Sequence, residues 1–109
     1  FGYIKNGYSA MAMSVFFQMQ SENHLKPDSV TMISFVQASA AVLAGLGGEI
    51  SHAYILKLGL DFETLVLNSL VDAYAKNGLI ENAKVLFMQM GHLRDQSSWN
   101  VMIAGCGIN

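Results

Sequence analysis

Apolar residues recur along this chain at helical spacing, in segments separated by short polar or glycine-bearing stretches. Spacings of three and four residues place apolar side chains on one face of a helix. No strand-like alternation of apolar and polar residues flanks a hairpin turn. The pattern therefore predicts an all-helical chain, with helices over residues 1–5, 9–20, 30–41, 50–58, 65–76 and 80–90 and a last helix that begins near residue 97.

Several residue types mark the ends of these helices. The pairs Asn6-Gly7 and Asn77-Gly78 predict turns, because asparagine and glycine tolerate the left-handed backbone at helix ends. Pro27 disfavours helix at the residue before it. Gly59 predicts a further helix end, and we expect a loosely specified glycine-bearing turn from Val42-Leu43 onward. The predicted helix caps are Asp61 or Thr64 for the fifth helix and Ser97 or Ser98 for the last.

The first of these pairs belongs to a run that occurs twice. Gly2-Tyr3-Ile4-Lys5-Asn6-Gly7 corresponds to Ala73-Tyr74-Ala75-Lys76-Asn77-Gly78, and each run is followed by Ala, Phe and Met at the same offsets. The runs lie about 71 residues apart, or two periods of about 35 residues, which is typical of helical-hairpin arrays. We expect the alanines at close helix crossings and the larger residues packed toward the next unit. The matching positions are Ala12, Phe16 and Met19; Gly48, His52 and Ile55; and Ala83, Phe87 and Met90.

Composition supports a stacked array. Apolar residues make up 52% of the 109 residues and charged residues 13%, against about 45–50% and 25% in ordinary domains. Excess apolar surface is expected where each unit also packs on its neighbours. The net charge of −2 argues against binding dominated by phosphate contacts.

Little in the sequence indicates catalysis, metal binding or a membrane span. The single cysteine, Cys106, precludes an internal disulfide, and the three histidines are scattered, which favours loop or packing roles. We expect Trp99 in the core and Cys106 buried or facing a helix. Residues 29–48 carry no charge, but their polar residues at helical spacing favour an amphipathic helix over a span. We predict no cofactor, no metal, no membrane, no small-molecule substrate and no enzymatic activity.

Four segments together resemble the pentatricopeptide repeat family, specifically its plant arrays of standard, long and short motifs. The segments are Leu25-Lys26-Pro27-Asp28, residues 52–60 (HAYILKLGL), residues 68–78 (NSLVDAYAKNG), and Arg94-Asp95 followed by residues 98–103 (SWNVMI). The resemblance implies a right-handed α-solenoid of antiparallel helix-turn-helix repeats. It divides the chain into a truncated standard motif (1–28), a long motif (29–63), a short motif (64–95) with an extra residue within 91–93, and a truncated motif (96–109).

Such repeats read single-stranded RNA at about one base per repeat. By resemblance, the fifth and last residues of a motif select the base, and in the short motif these are Asn68 and Asp95. An asparagine amide can accept from the N3–H of uracil and donate to a neighbouring carbonyl oxygen, while the carboxylate orients the amide. The resemblance thus implies uridine preference, with Leu65 as an apolar surface against the base.

The other units complete the predicted RNA-binding set. Ile33 and Glu63 of the long motif imply a spacer or weakly selective unit, with Val30 touching a base; Asn100 begins a further pyrimidine reader, and Asp28 closes the first motif. An alternative for Asn68 is to satisfy backbone groups in the first helical turns. Asp28 and Asp95 can equally act as helix caps.

The resemblance further implies a role in organellar RNA processing, including C-to-U editing, in the mitochondrion or chloroplast. In that role the chain is a guide without the catalytic domain, and RNA-editing proteins are a further class of partner. The alternative function is a protein-interaction scaffold of tetratricopeptide type, whose hairpins have a similar length. The tryptophan, glycine and proline pattern of that family is not matched here.

Overall fold

The computed structural model describes residues 2–23, 26–43 and 45–108. Within these ranges there is no strand, which confirms the all-α prediction. A 3-10 turn, Gly91–Leu93, precedes the last helix. The six α-helices are α1 (Gly2–Asn23), α2 (Ser29–Leu43), α3 (Gly45–Leu58), α4 (Thr64–Lys76), α5 (Ile80–Met90) and α6 (Gln96–Ile108).

The helices form two layers. Helices α2, α4 and α6 lie side by side in one layer. In the other layer, α3 packs against α2 and α4, and α5 packs against α4 and α6. Helix α1 packs on α2. The molecule measures 38 × 33 × 19 Å, and its smallest dimension corresponds to two helix diameters of about 10 Å. This arrangement brings the N-terminal ends of α2, α4 and α6 to one edge.

Apolar contacts between the layers form one continuous core. At one end, Phe16 stacks on Phe35 with ring centroids 4.3 Å apart, and the Tyr54 ring meets both edge-on. This cluster joins α1, α2 and α3. The core continues through residues that are almost completely buried, namely Met32, Val36, Ile55, Val66, Leu70, Val71 and Ala83.

Two helices end as their sequences predict. Gly78 has φ +78°, and the backbone N–H groups of Gly78 and Leu79 donate to Ala75 and Tyr74 at 3.0 and 2.9 Å. These two bonds define a Schellman motif, which satisfies carbonyl groups at the end of α4. Gly59 ends α3 in the same way, at φ +71°.

The predicted turn at Asn6-Gly7 is wrong, because α1 is continuous from Gly2 to Asn23. At Gly7 the backbone stays helical, whereas Gly78 has φ +78°. Asparagine and glycine permit the left-handed backbone of a helix end but do not impose it. The dipeptide alone therefore does not determine where a helix ends.

The predicted turn from Val42-Leu43 is shorter than expected, since α2 continues through Leu43 and α3 already begins at Gly45. Gly47 and Gly48 lie inside α3, where they permit close approach to other elements. A Cβ at position 47 would collide with the backbone oxygen of Ser39, and one at position 48 would lie 2.6 Å from the Tyr74 ring.

Three residues expected inside the structure lie at its surface. Ala12 and Cys106 are exposed, and Trp99 is 50% exposed. Trp99 still contacts the Phe87 ring, with centroids 4.9 Å apart. These side chains lie on α1 and α6, the first and last helices of the described part of the chain, whose outer faces no other described helix covers.

No helix within the described ranges is both long and apolar enough to cross a bilayer.

Candidate nucleic-acid interface

Asn68 lies in the second turn of α4, between α2 and α6. It is the fifth residue from Thr64, the first residue of α4. Because α4 is flanked on both sides, the Asn68 side chain is only 6% exposed although it is polar. A buried amide of this kind requires hydrogen-bond partners.

Asp95 precedes α6 and caps it. The Ser98 backbone N–H donates to Asp95 Oδ1 at 3.0 Å, and the Asp95 backbone N–H donates to Ser98 Oγ at 3.0 Å. This reciprocal pair is a capping box in which serine takes the place of glutamate or glutamine. The Ser98 N–H, followed by the Asn68 amide, holds the pKa of Asp95 below its usual value.

These three side chains form one hydrogen-bonded network, which we call the Asn68 network. Asn68 Nδ2 donates to Asp95 Oδ1 at 3.1 Å, and Ser98 Oγ donates to Asn68 Oδ1 at 2.5 Å. A carboxylate can only accept hydrogen bonds. The nitrogen of the amide must therefore face Asp95, and its oxygen faces Ser98.

A second contact ties the start of α4 to the connection that carries Asp95. Thr64 Oγ1 donates to the Leu93 carbonyl oxygen at 2.8 Å. The 3-10 turn at Gly91–Leu93 contains the position of the extra residue, and the Arg94 Nε–H donates to the Gly91 carbonyl at 3.1 Å. The unit of 32 residues thus still brings Asp95 into contact with Asn68. Thr64 does not cap α4 as predicted; Glu63 is its N-cap, without a side-chain bond.

Leu65 lies three residues before Asn68, on the same face of α4. Its side chain is 66% exposed. Val30 has the same relation to Ile33 on α2 and is 72% exposed, whereas Ile33 packs partly buried against the core. An exposed apolar side chain therefore stands next to the fifth position in both complete units.

The corresponding junction of the long unit lacks a polar network. Ile33 occupies the position of Asn68, the exposed Glu63 that of Asp95, and the fully buried Val66 that of Ser98. None of these three side chains offers the donor and acceptor pair of a carboxamide. The structure thus distinguishes two kinds of unit.

Asp28 and Asn100 extend the same edge of the molecule. Asp28 caps α2, accepting from the Thr31 N–H and Thr31 Oγ1, each at 2.9 Å. These two bonds keep the pKa of Asp28 below its usual value, the backbone bond having the larger effect. Asn100 is exposed on α6, where its Oδ1 accepts from Gln96 Nε2 at 3.2 Å. The cap roles considered for Asp28 and Asp95 are therefore present.

Sequence reasoning identified Asn68 and Asp95 but treated Ser98 only as a candidate cap. In the structure Ser98 is 1% exposed and contacts both predicted residues. The Asp-x-x-Ser spacing from 95 to 98 resembles a capping box, and this signal could have placed Ser98 beside Asp95. Nothing local could have indicated its contact with Asn68, which lies 30 residues away.

Comparisons with known proteins agree with the repeat architecture. The family model described as PPR repeat matches residues 1–24 and 66–93. The pentatricopeptide repeat-containing protein CRR2, chloroplastic, of Arabidopsis thaliana is 39% identical over 98% of this chain. Two further pentatricopeptide repeat-containing proteins of the same plant are also similar. DOT4, chloroplastic, is 39% identical over 99% of the chain, and At4g19220, mitochondrial, is 33% identical over 99%.

This chain spans only 16%, 12% and 11% of the lengths of these three relatives. No solved structure matches it. The relatives' names confirm the predicted organellar location at the level of chloroplast or mitochondrion. The helical hairpins, the matched repeat segments and the relatives that cover nearly the whole chain lead to one conclusion: the chain belongs to the pentatricopeptide repeat family.

Proposed function

We propose that this chain forms part of a longer repeat array that reads single-stranded RNA, and that the unit 64–95 accepts a uridine. Repeats of this family bind RNA at about one base per repeat. The proposal is carried by the Asn68 network, which holds one carboxamide in a single orientation beside the exposed Leu65.

The hydrogen-bonding capacity of Asn68 supports a pyrimidine ligand. An asparagine side chain has two N–H donors and two acceptor lone pairs on its oxygen. Asp95 takes one donor and Ser98 one lone pair, so one donor and one acceptor remain for a base. Uracil presents an N3–H beside a carbonyl oxygen, and this edge complements the remaining pair.

The other units receive roles from the same chemistry. Leu65 offers van der Waals contact to the face of the base at its own unit, and Val30 does so at the long unit. Ile33 cannot form hydrogen bonds, so the long unit acts as a spacer together with Glu63. Asn100 begins the next pyrimidine reader.

At the level of the whole array, we assign the protein to organellar RNA processing, including guidance of C-to-U editing. Relatives named chloroplastic and mitochondrial are similar over nearly all of this chain. The net charge of −2 indicates that affinity depends on base contacts summed over many repeats. The isolated 109-residue chain should therefore bind RNA weakly, and tight, sequence-independent binding in a filter titration would contradict this.

The base assignment can be tested on the full-length protein with a pool of randomised single-stranded RNA, by sequencing the bound fraction. Asn68→Ala and Asp95→Ala should each change the base composition at one and the same position of the enriched motif, where the unaltered protein selects uridine. Asn100→Ala is the matched control, since it should change a neighbouring position instead.

Two results would contradict the proposal. If both variants leave the enriched motif unchanged, Asn68 and Asp95 do not read a base. If the protein enriches no RNA motif, the scaffold function is favoured, and binding partners should then be sought among proteins.

A further inference from the structure

Ser98 is the most buried polar side chain of the junction between α4 and α6. It is 1% exposed, and its hydroxyl oxygen lies 2.5 Å from Asn68 Oδ1 and 3.1 Å from Asp95 Oδ1. The same oxygen also accepts from the Asp95 backbone N–H at 3.0 Å. A hydroxyl has a single proton to donate, and the shorter contact identifies the Asn68 oxygen as its acceptor.

The equivalent hydroxyl at the start of α2 behaves differently. Thr31 Oγ1 donates to Asp28 Oδ1, the carboxylate that caps its own helix, at 2.9 Å in an exposed position. The hydrogen bonds of this cap therefore stay within one helix end. At the α6 junction, Ser98 caps its helix and also contacts the amide of the preceding unit, which indicates a second role.

The orientation of the Asn68 amide determines which pyrimidine it can accept. Uracil presents a donor at N3 beside an acceptor at C4, whereas cytosine presents an acceptor at N3 beside a donor at C4. An amide rotated by half a turn exchanges its own donor and acceptor. A freely rotating asparagine would thus accept either base, and a fixed one discriminates between them.

We propose that Ser98 is a positioning residue that sets the preference for uridine over cytidine in the unit 64–95. The inference rests on the proposed function, in which Asn68 contacts the base. Asp95 repels the amide oxygen because both are acceptors, and Ser98 attracts that oxygen because it is a donor. The two residues hold opposite ends of the amide in one orientation. Specificity in this unit therefore depends on a residue of the following motif.

The test compares uridine with cytidine at the position that Asn68→Ala identifies in the full-length protein. Two RNAs that differ only at this base are titrated against each variant. Ser98→Ala should lower the ratio of the two affinities about fivefold, the factor that one net hydrogen bond supplies. Ser98→Thr keeps the hydroxyl, as Thr31 does at the equivalent site, and should restore the ratio. Ser69→Ala is the matched control and should leave the ratio unchanged, because the Ser69 hydroxyl donates to the Val66 carbonyl within its own helix.

The outcomes separate this inference from the proposed function. If the unaltered protein has no uridine preference at any position sensitive to Asn68, both fail. If Asn68→Ala abolishes the preference while Ser98→Ala retains the full ratio, Ser98 has no positioning role. If Ser98→Ala weakens binding of both RNAs equally, Ser98 again has no positioning role, because the loss then comes only from the weakened cap of α6.

A second variant covers the case in which Ser98→Ala unfolds the junction. Ser98→Cys keeps the shape of the side chain but replaces the hydroxyl with a much weaker donor. It should lower the ratio as alanine does, with a smaller effect on the melting temperature. An unchanged ratio in this variant would overturn the proposal.

Discussion

The segments predicted as the long unit, 29–63, and the short unit, 64–95, each contain a pair of helices, but their chemistry differs where they meet the next unit. Asn68, Asp95 and Ser98 form a complete polar network in the short unit. The long unit has Ile33, Glu63 and Val66 at the corresponding positions. Removing one member of a buried network leaves an unpaired polar group, whereas replacing all its buried members by apolar groups can be nearly neutral. The two units illustrate these two stable solutions.

Inside the hairpins the contrast is reversed. In the long unit, Ser39 and Ser51 are fully buried and their hydroxyl oxygens lie 2.8 Å apart. The short unit has Tyr74 and Leu86 at the corresponding positions. Small residues, including Gly47, bring α2 and α3 close together. The buried polar contact of the long unit therefore lies inside its own hairpin, whereas that of the short unit lies at its junction with the next motif.

The largest effect is expected from Gly47→Ala in the long hairpin. The new Cβ would collide with the Ser39 backbone, an overpacking that costs about 3 kcal/mol. The better helix propensity of alanine returns about 1 kcal/mol, which leaves a net loss of about 2 kcal/mol. Thermal unfolding followed by circular dichroism should show a melting temperature lower by about 10 °C.

The matched control for this variant is Asn82→Ala at the corresponding position of the short hairpin. Asn82 is exposed, so the variant should unfold within about 0.5 kcal/mol of the unaltered chain. Equal effects of the two substitutions would show that the hairpins do not differ in packing.

A smaller effect is expected at the buried serine pair. Ser39 also contacts the Val36 carbonyl oxygen at 3.1 Å, so it keeps a partner in Ser51→Ala, which should cost about 1 kcal/mol. Ser39→Ala should cost about 1.5 kcal/mol, because it leaves the Ser51 hydroxyl without its 2.8 Å contact. The measurement is the free energy of unfolding in urea.

The double variant Ser39→Ala with Ser51→Ala sharpens this prediction. It should cost less than the sum of the two single variants, because no hydroxyl then remains unpaired. Additive costs would mean that the two serines act independently of each other.

The smallest effect is the acid dependence of the short unit's junction. The pKa of Asp95 is lowered chiefly by the Ser98 N–H and then by Asn68. The charged carboxylate therefore stabilises the folded chain above the unfolded pKa of about 4, and this contribution is lost as the pH falls through the lower folded pKa. The difference in melting temperature between the unaltered chain and Asp95→Asn should be constant near neutral pH and shrink below about pH 4.

Glu63→Gln provides the corresponding measurement in the long unit. Glu63 makes no side-chain cap bond, so at neutral pH this variant should unfold within about 0.5 kcal/mol of the unaltered chain. A constant difference for Asp95→Asn over the whole pH range would contradict the ionic role of Asp95.

Much of the fold could be predicted from local signals. The bounds of α5, Ile80–Met90, and the end of α4 at Lys76 follow from apolar spacing and from Asn77-Gly78. At Asn6-Gly7 the same dipeptide lies inside the continuous α1, because these residues permit a left-handed helix end without imposing one. The sequence predicts a turn at Gly47 and Gly48, whereas both lie inside α3. A glycine that permits a close contact between helices cannot be distinguished by sequence from a glycine in a turn.

The candidate site was likewise only partly predictable from the sequence. The positions of Asn68 and Asp95 follow from counting within a repeat, and their type alone limits what they can donate or accept. Their mutual contact and the inclusion of Ser98 depend on how α6 packs beside α4. Hydrogen bonds depend on distances and angles that arise only when residues remote in sequence come together. The sequence by itself thus determined the repeat, the helices and the chemistry available; the tertiary structure alone decided which groups meet and how the amide is held.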